Sequence, residues 1–535
     1  MPVGVGLPSL SHLVEVFLLV TAGPAISRAH RAGDTKATTS AIIASRSRDA
    51  SFPRDTSRWR DPSFWHDTLR WRDASLWIIL FTAFIILRLV GTRTPLIVDE
   101  LIPVRLFDAM DARGVLDPNW RLAELPAELK YDQYNFYFYN IVAFFVLKLA
   151  GVVGLAPFGA LRIANIVLQG ATVILIADAA RRLGSARWAR LLAGALFVFA
   201  PGAVQDVYLA RPESLLYFLA ALLVWVLALD LPLMACMAAG GIIIGFGTAV
   251  KISFASLAVL AVIPLKGNER ACSARHAAAA CCTFALAAVA GFCLAAPYAV
   301  VHYDTFLAGL HFLAEQYRGG HPPHSLTEYS FGGQALWIVR YFLELYGPLC
   351  LIALAAPLWL TGRLRLWAVA LAGSWLILAV FFATQSVFFE RNLAHALVPL
   401  LLAAAIGASA LEPVWVRWAA GLAMLIPMAY WSSQIALTMK SAPGWLRYEA
   451  AHQIAPSQRI DYKDIVDATI PKRCDSVAVV GYNDPWSERY VNALREAGYL
   501  PIGQYEGRFA LLVTSTLHTY LDPNFHYFRC PPVAR

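Results

Sequence analysis

Apolar runs follow one another along this chain from Leu76 to Tyr430, and the first of them, Leu76–Val90, is long enough with its flanks to cross a bilayer as a helix. That succession leaves few options, because hydrocarbon offers no partner to backbone N–H and C=O groups. Each run must satisfy its own backbone as a helix. A water-soluble core has no use for so much apolar surface: 58% of the 535 residues are hydrophobic and the mean hydropathy is +0.55. The expected fold is an all-α polytopic membrane bundle of about 11 crossings plus one re-entrant or interfacial helix, followed by a small carboxyl-terminal α/β extramembrane domain.

Positive charge orients the spans. The leader is rich in arginine, which favours a cytoplasmic amino-terminus, so the run Leu76–Val90 leads outward. Arg181, Arg182, Arg187 and Arg190 form the next basic loop and belong inside. Two runs, Phe136–Ala150 and Phe158–Ala180, lie between those points, and only one of them can cross. Phe136–Ala150 is shorter, opens with tyrosines and carries Lys148, so it reads as the re-entrant or surface-lying helix. The runs at 188–204, 215–229, 233–250, 252–265, 277–296, 335–360, 367–383, 393–411 and 415–430 then alternate, with a long outer loop from Pro297 to Ser330. This scheme puts the carboxyl-terminal domain outside and gathers the unusual polar clusters on the outer face. The formal charge of +8 suits lipid-facing loops; no soluble segment carries a basic stripe interleaved with aromatics, so no nucleic acid partner is expected.

Residues 1–74 read as a flexible cytoplasmic leader. Its apolar stretch Leu10–Ala22 lacks a basic region before it and contains His12 and Glu15, unlike a signal peptide. A tandem repeat follows: RDASFPRDTSRW from Arg48, RDPSFWHDTLRW from Arg60 and RDASLW from Arg72. Residues 75–438 make the transmembrane domain and 439–535 the tail, with strands at Ser476–Gly481 and Phe509–Ser515 around a helix at Pro485–Ala497. Of eight cysteines only Cys474 and Cys530 lie in the polar tail. An outside tail is in an oxidising compartment, where that pair can form a disulfide.

Five clusters carry possible chemistry. Asp99 and Glu100 follow the first span, in PLIVDE; they are either a site or the acidic start of a helix over Leu101–Met110. Asp206, Arg211 and Glu213 follow a break at Pro201-Gly202, where an ordinary polar loop is the competing reading. Lys251 stands at a tight outer turn with no acid near it in sequence; it either snorkels to headgroups or binds phosphate as a point charge. His302, His311, His321 and His324 lie in the outer loop at separations that fit no standard metal pattern, so a lid over a sugar site is the better reading. No cofactor is expected, a divalent metal there being the minor alternative. Glu390-Arg391-Asn392 with His395 opens another helix: capping explains Asn392, whereas Arg391 suits a phosphate through its planar fork.

With these residues in view the chain resembles the GT-C type membrane glycosyltransferases, and is most similar to the family 39 protein O-mannosyltransferases and the lipid A aminoarabinose transferases. The matching segments are the VDE at Asp99-Glu100, the aromatic tract from Tyr131 to Tyr139, LRIANIVLQG from Leu161, the Pro201–Glu213 segment, the lysine after GFGTAV, and ERNLAHALVPLLLAAA. The resemblance spans roughly residues 75–412. It implies a polyprenyl-phosphate-sugar donor, Asp99 as base with Glu100 beside it, and Asp206 or Glu213 lining the site. Arg211, Lys251, Arg391, Tyr131, Tyr134 and His321 complete the expected substrate-binding set. The prolines usual before the aromatic tract are missing, and the histidine loop has no family-type motif. The expected function is transfer of a hexosyl or pentosyl unit, with inversion, to a lipid, glycan or protein acceptor on the outer face of the cytoplasmic membrane. The competing class is a transporter or flippase of a lipid-linked sugar, which would place its charges at broken helices near the midplane.

Overall fold

The computed structural model describes residues 71–89, 98–125, 132–183, 185, 187–266, 273–319, 329–387, 390–440, 475–481, 491–492, 494–504, 509–513 and 524–531. The chain divides into two units, Met1–Ala74 and Ser75–Arg535, and the description concerns the second. Tyr131, His321, His324 and Cys474 lie outside the described residues, as does nearly all of the leader.

Ser75–Arg535 is a mostly helical, multi-pass membrane unit. Among the described residues, five helices are long and apolar enough to cross a membrane: Pro157–Arg182, Leu233–Val250, Ala274–Ala295, Gly362–Ala383 and the stretch Arg391–Ser409. The last is buried along its whole apolar window, as befits a helix that is hydrophobic all round. Two bent pairs raise the count to seven, Arg187–Val198 with Pro201–Val207 (50°) and Phe331–Tyr346 with Leu349–Leu358 (106°). Length and composition thus give five to seven crossings where about eleven were expected. Three of the missing crossings fall on apolar helices shorter than a full span, Ser75–Leu89, Glu213–Leu227 and Ile252–Leu265, and the fourth on Val414–Lys440, which is long but not among the five; Tyr137–Val153, not expected to cross, is short as well.

Three expectations about individual runs are corrected. Residues 335–360 are two helices at a sharp angle, because Gly347 sits at φ +60° and Pro348 cannot donate to a continuing helix. A side chain at 347 would also meet the Ala423 carbonyl at 2.5 Å, so only glycine lets this bend pack against the Val414–Lys440 helix. The loop expected over Pro297–Ser330 is helical at Pro297–Val301 and Tyr303–Gly319. Beyond Lys251 the chain runs as a 3₁₀ helix over Ile252–Ala261, with the Ser256 hydroxyl bonded to the Ser253 carbonyl at 2.8 Å.

Helix Leu233–Val250 packs hard against Ala274–Ala295. A Cβ added at Gly245 would lie 2.2 Å from the Ala288 carbonyl, so small residues set the approach. Helix Val98–Arg113 rests on Tyr137–Val153 through Ile102, Leu106 and Met110, which follow the helical period. Lys148, which argued against a crossing at Tyr137–Val153, pairs with Asp111. In the tail, four strands run in the order β2-β4-β1-β3, where β1 is Ser476–Gly481, β2 Leu500–Ile502, β3 Phe509–Val513 and β4 Asn524–Arg529. β1 is parallel to β3 and antiparallel to β4. The two expected strands, β1 and β3, are direct neighbours, and β4 and β2 extend the described sheet on the free side of β1 without a signal in their composition. The described helical turns at 491–492 and 494–496 fall within the expected helix.

Candidate functional site

Helix Arg187–Val198 stops where Pro201 starts a new one, and the short helix Pro201–Val207 carries Asp206 into the bundle. Asp206 is 3% exposed, and one of its carboxylate oxygens accepts from the Tyr217 hydroxyl at 2.7 Å. Tyr217 stands one turn beyond Glu213 on the next helix, so the second acidic cluster braces itself. The Gly202 N–H donates to the Tyr346 hydroxyl at 3.1 Å, which ties this break to the 106° bend of the later pair.

Two adjoining cavities open here. The first is lined by Gln205, Asp206, Tyr217, Tyr341, Tyr346 and Arg391. The second is lined by Ile102, Pro103, Tyr139, Asn140, Arg211, Glu213 and Arg391. Arg391 belongs to both. Glu213 is 1% exposed and one of its carboxylate oxygens has no hydrogen-bond partner. A buried carboxylate oxygen left in that state is costly, and a ligand hydroxyl or a water would offset the cost.

Lys251 joins the same constellation from the end of helix Leu233–Val250. Its ammonium donates to the Asn392 side-chain oxygen at 2.8 Å and approaches the Arg391 carbonyl at 3.4 Å. Burial pushes this ammonium down to about 8; Glu213 and Asp206 oppose the shift, while Arg391 and Arg211 reinforce it. The Lys251 turn, with no acid nearby in sequence, thus finds two in space. Asn392 is not a helix cap: its amide donates to the Tyr317 hydroxyl at 2.8 Å and so bridges Lys251 to helix Tyr303–Gly319. His395 is fully buried, with Nε2 at 3.1 Å from the Ser253 carbonyl, and forms part of the support beneath Lys251.

The structure therefore brings Asp206, Arg211 and Glu213 of the 206–213 segment together with Lys251 and Arg391, three separate stretches of the chain. Asp99 and Glu100 lie on helix Val98–Arg113, with side chains outside the described set. Position 99 precedes Ile102 and Pro103, which line the second cavity, by one turn of that helix. Tyr134 goes elsewhere. It packs with Tyr137, Ala249 and Ala299, and its ring stacks near His302 at 6.4 Å between centroids. Burial pushes its hydroxyl up to about 12, with Asp117 and Asp132 adding to the effect and Asn119 opposing it. Among the described residues no three His, Cys, Asp or Glu side chains stand close enough to hold a metal ion.

Tyr217, Tyr341 and Tyr346 were not anticipated, whereas Tyr317 belongs to the outer-loop cluster with the histidines. Tyr217 had a signal, four residues after Glu213 in a helical run. Tyr341 and Tyr346 had none, because they reach the cavity only through the bend at Gly347.

No family model and no curated protein matches the chain. Among solved structures, it is similar to ArnT from Cupriavidus metallidurans bound to undecaprenyl phosphate, at 14% identity and a TM-score of 0.48 over 78% of this chain and 84% of that one. The arabinofuranosyltransferase AftD from Mycobacteria gives 16% identity and a TM-score of 0.44 over 86% of this chain and 40% of AftD. The archaeal oligosaccharyltransferase AglB from Archaeoglobus fulgidus, in complex with an inhibitory peptide and a dolichol-phosphate, gives 12% and 0.45 over 79% and 63%. All three are GT-C glycosyltransferases, the type that the sequence resembles. At these TM-scores they are likenesses and bring no residue role with them.

Proposed function

We propose that the chain is a membrane glycosyltransferase that takes a sugar from a polyprenyl-phosphate-sugar donor and passes it to an acceptor hydroxyl or amine on the outer face of the cytoplasmic membrane. The observation that carries this reading is the meeting of Lys251 and Arg391 with the buried carboxylates Asp206 and Glu213 at two cavities that share Arg391. Transfer from a lipid-linked phosphate needs a base for the acceptor and positive charge for the departing phosphate, held apart yet within reach of one sugar.

The acceptor oxygen or nitrogen attacks the anomeric carbon, and the bond from that carbon to the phosphate oxygen breaks. The polyprenyl phosphate leaves with the electron pair, and Arg391 and Lys251 neutralise it. Asp99 takes the acceptor proton, with Glu100 beside it. A single displacement inverts the anomeric centre. Asp206, fixed by the Tyr217 hydroxyl, and Glu213, with its unmet oxygen, supply acceptors for sugar hydroxyls. Arg211 lines the second cavity together with Glu213 and the shared cation Arg391. Tyr131 remains assigned to substrate on the resemblance and His321 on its place in the histidine-rich loop, while Tyr134 packs near the His302 ring.

A second reading has a specific observation in its favour. Two helix pairs are broken where the charged groups gather, as in transporters, so a flippase for a lipid-linked sugar is the alternative. Purified protein in detergent, given polyprenyl-phosphate-linked sugars with labelled sugar moieties and a cell-envelope extract as acceptor, separates the two. Transfer of label with release of polyprenyl phosphate supports the enzyme. Movement of intact donor between leaflets of a vesicle, without any new glycosidic bond, supports the transporter and defeats our reading.

A further inference from the structure

Arg88 is fully buried near the end of helix Trp71–Leu89, and its three hydrogen bonds all go to neutral oxygens. A buried arginine in a membrane bundle demands a reason, and an accounting of the break at Ala200-Pro201 supplies one. In an unbroken helix the N–H of residue 201 would bond to the carbonyl of 197, and that of 202 to the carbonyl of 198. Pro201 has no N–H, and the Gly202 N–H is committed to the Tyr346 hydroxyl. The Phe197 carbonyl keeps a 3.2 Å bond from the Ala200 N–H, and the Phe199 carbonyl is met by the Ser432 hydroxyl at 2.9 Å. Arg88 takes the two that the break releases: it reaches the Val198 carbonyl at 2.9 Å and the Phe197 carbonyl at 3.3 Å.

The third bond of the fork extends the hold to the far side of the break. Arg88 Nε donates to the Gln169 side-chain oxygen at 2.8 Å, and the Gln169 amide donates to the Ala203 carbonyl at 2.8 Å and the Ser214 hydroxyl at 3.0 Å. Gln169 is itself fully buried. The guanidinium also lies 4.2 Å over the Phe84 ring, which fixes its plane. The Tyr208 hydroxyl, just past the short helix, bonds back to the Leu87 carbonyl. A cation at a helix carboxyl end is electrostatically favoured, and the rigid planar fork of arginine holds its donors toward these spread-out oxygens.

We infer that Arg88, with Gln169, is a positioning residue that clamps both sides of this helix break and so sets Asp206 in the first cavity. It lines neither of the two cavities and acts through the fragment that Asp206 rides on. The clamp stands on geometry alone, while its consequence for turnover rests on the glycosyltransferase reading.

The test uses the full-length protein in lipid nanodiscs, with Arg88→Met and Arg88→Lys read by hydrogen exchange and mass spectrometry. Arg88→Met is expected to raise exchange at least about tenfold in peptides over residues 199–209 and to leave those over 394–409 unchanged. Arg88→Lys keeps the charge but not the fork, and gives a smaller rise at the same place; it carries the test if Arg88→Met does not fold. No local rise, or an even rise across the bundle, overturns the clamp. With any donor that the wild type turns over, kcat is expected to fall about 100-fold with the donor KM within threefold, as for a misplaced site group. A raised KM with unchanged kcat overturns the positioning role. If the wild type transfers no sugar at all, the glycosyltransferase reading fails and the exchange data still decide the clamp.

Discussion

Arg391→Ala is the substitution with the best-defined consequences, because this side chain lines both cavities and is one of the cations that, with burial, hold the Lys251 ammonium down to about 8. A hydrogen bond between charged partners contributes about 1.5–3 kcal/mol, so losing the fork on a donor phosphate should weaken binding roughly 10- to 150-fold. The local scaffold should survive, since the Lys251 contact to residue 391 is with its backbone carbonyl and Lys251 keeps Asn392. The pH dependence gives a second, independent sign. Lys251 is held down to about 8, so in the free wild type its charge, and with it phosphate binding, is lost as pH rises through that value. Arg391 is one of the cations that lower it; with Arg391 gone, Lys251 keeps its proton to higher pH. The alkaline limb should therefore move up while the plateau affinity falls. Undecaprenyl phosphate titrated into purified protein between pH 6.5 and 9.5, at constant ionic strength, reads both. A Kd within twofold of the wild type at pH 7, or a limb that stays in place, would refute the assignment of these two cations to one phosphate.

Asp99→Asn keeps the shape and removes the basicity, so transfer should drop by about two to four orders of magnitude; near-normal turnover in the purified variant would end its role as base. Tyr217→Phe removes the donor at 2.7 Å from buried Asp206, and a thermal-unfolding loss of about 1–3 kcal/mol should accompany reduced turnover; an unchanged melting curve would show that the carboxylate finds another partner. A cysteine introduced at exposed Asp304, with other accessible thiols removed, should react with an impermeant reagent in intact cells. Reaction only after the membrane is disrupted would invert the topology.

The parts of the fold that could be read early are those whose cause is local. Leu233–Val250 ends where the apolar run meets Lys251, and Ser476–Gly481 is a strand because its β-branched run is closed by glycine. The bend at Gly347-Pro348 has a strong local signal, yet the apolar run continues on both sides, and hydropathy alone joins them into one span. The same holds for the site. Lys251 and Arg391 were legible as cations that local pairing did not explain, since both sit at the edge of apolar runs where charge is expensive. What the sequence could not supply was distance: 140 positions separate Lys251 from the Arg391 carbonyl that it approaches, and 144 separate Gly202 from the Tyr346 hydroxyl. Asn392 was misread because a cap is the commonest local use of asparagine, whereas its actual partners come from two other helices.

The tail offers a check on topology that does not depend on any activity. Cys530 is disulfide-bonded, and its N–H donates to the Asp475 carbonyl at 3.0 Å. Cys236, Cys281, Cys282, Cys293 and Cys350 are free, which leaves Cys272 and Cys474 as partners. The antiparallel register of β1 and β4 pairs Ser476 with Arg529 and so runs outward toward residues 475 and 530. Continued by one residue, it favours Cys474, next in sequence to Asp475, over Cys272, which precedes helix Ala274–Ala295. We expect Cys474 and Cys530 to be joined. The bond would close a loop of more than fifty residues and, in the chain-entropy model, contribute about 4 kcal/mol to the stability of the sheet. Such a bond persists in an oxidising compartment, so it also argues for a tail outside the cytoplasm. Peptide mapping of unreduced protein from intact cells, with free thiols blocked at lysis, should yield one linked peptide containing both residues. A link to Cys272 would tie the tail to the basic loop placed inside, and alkylation of both tail cysteines would mean a reducing surround. Either result would overturn the outside assignment.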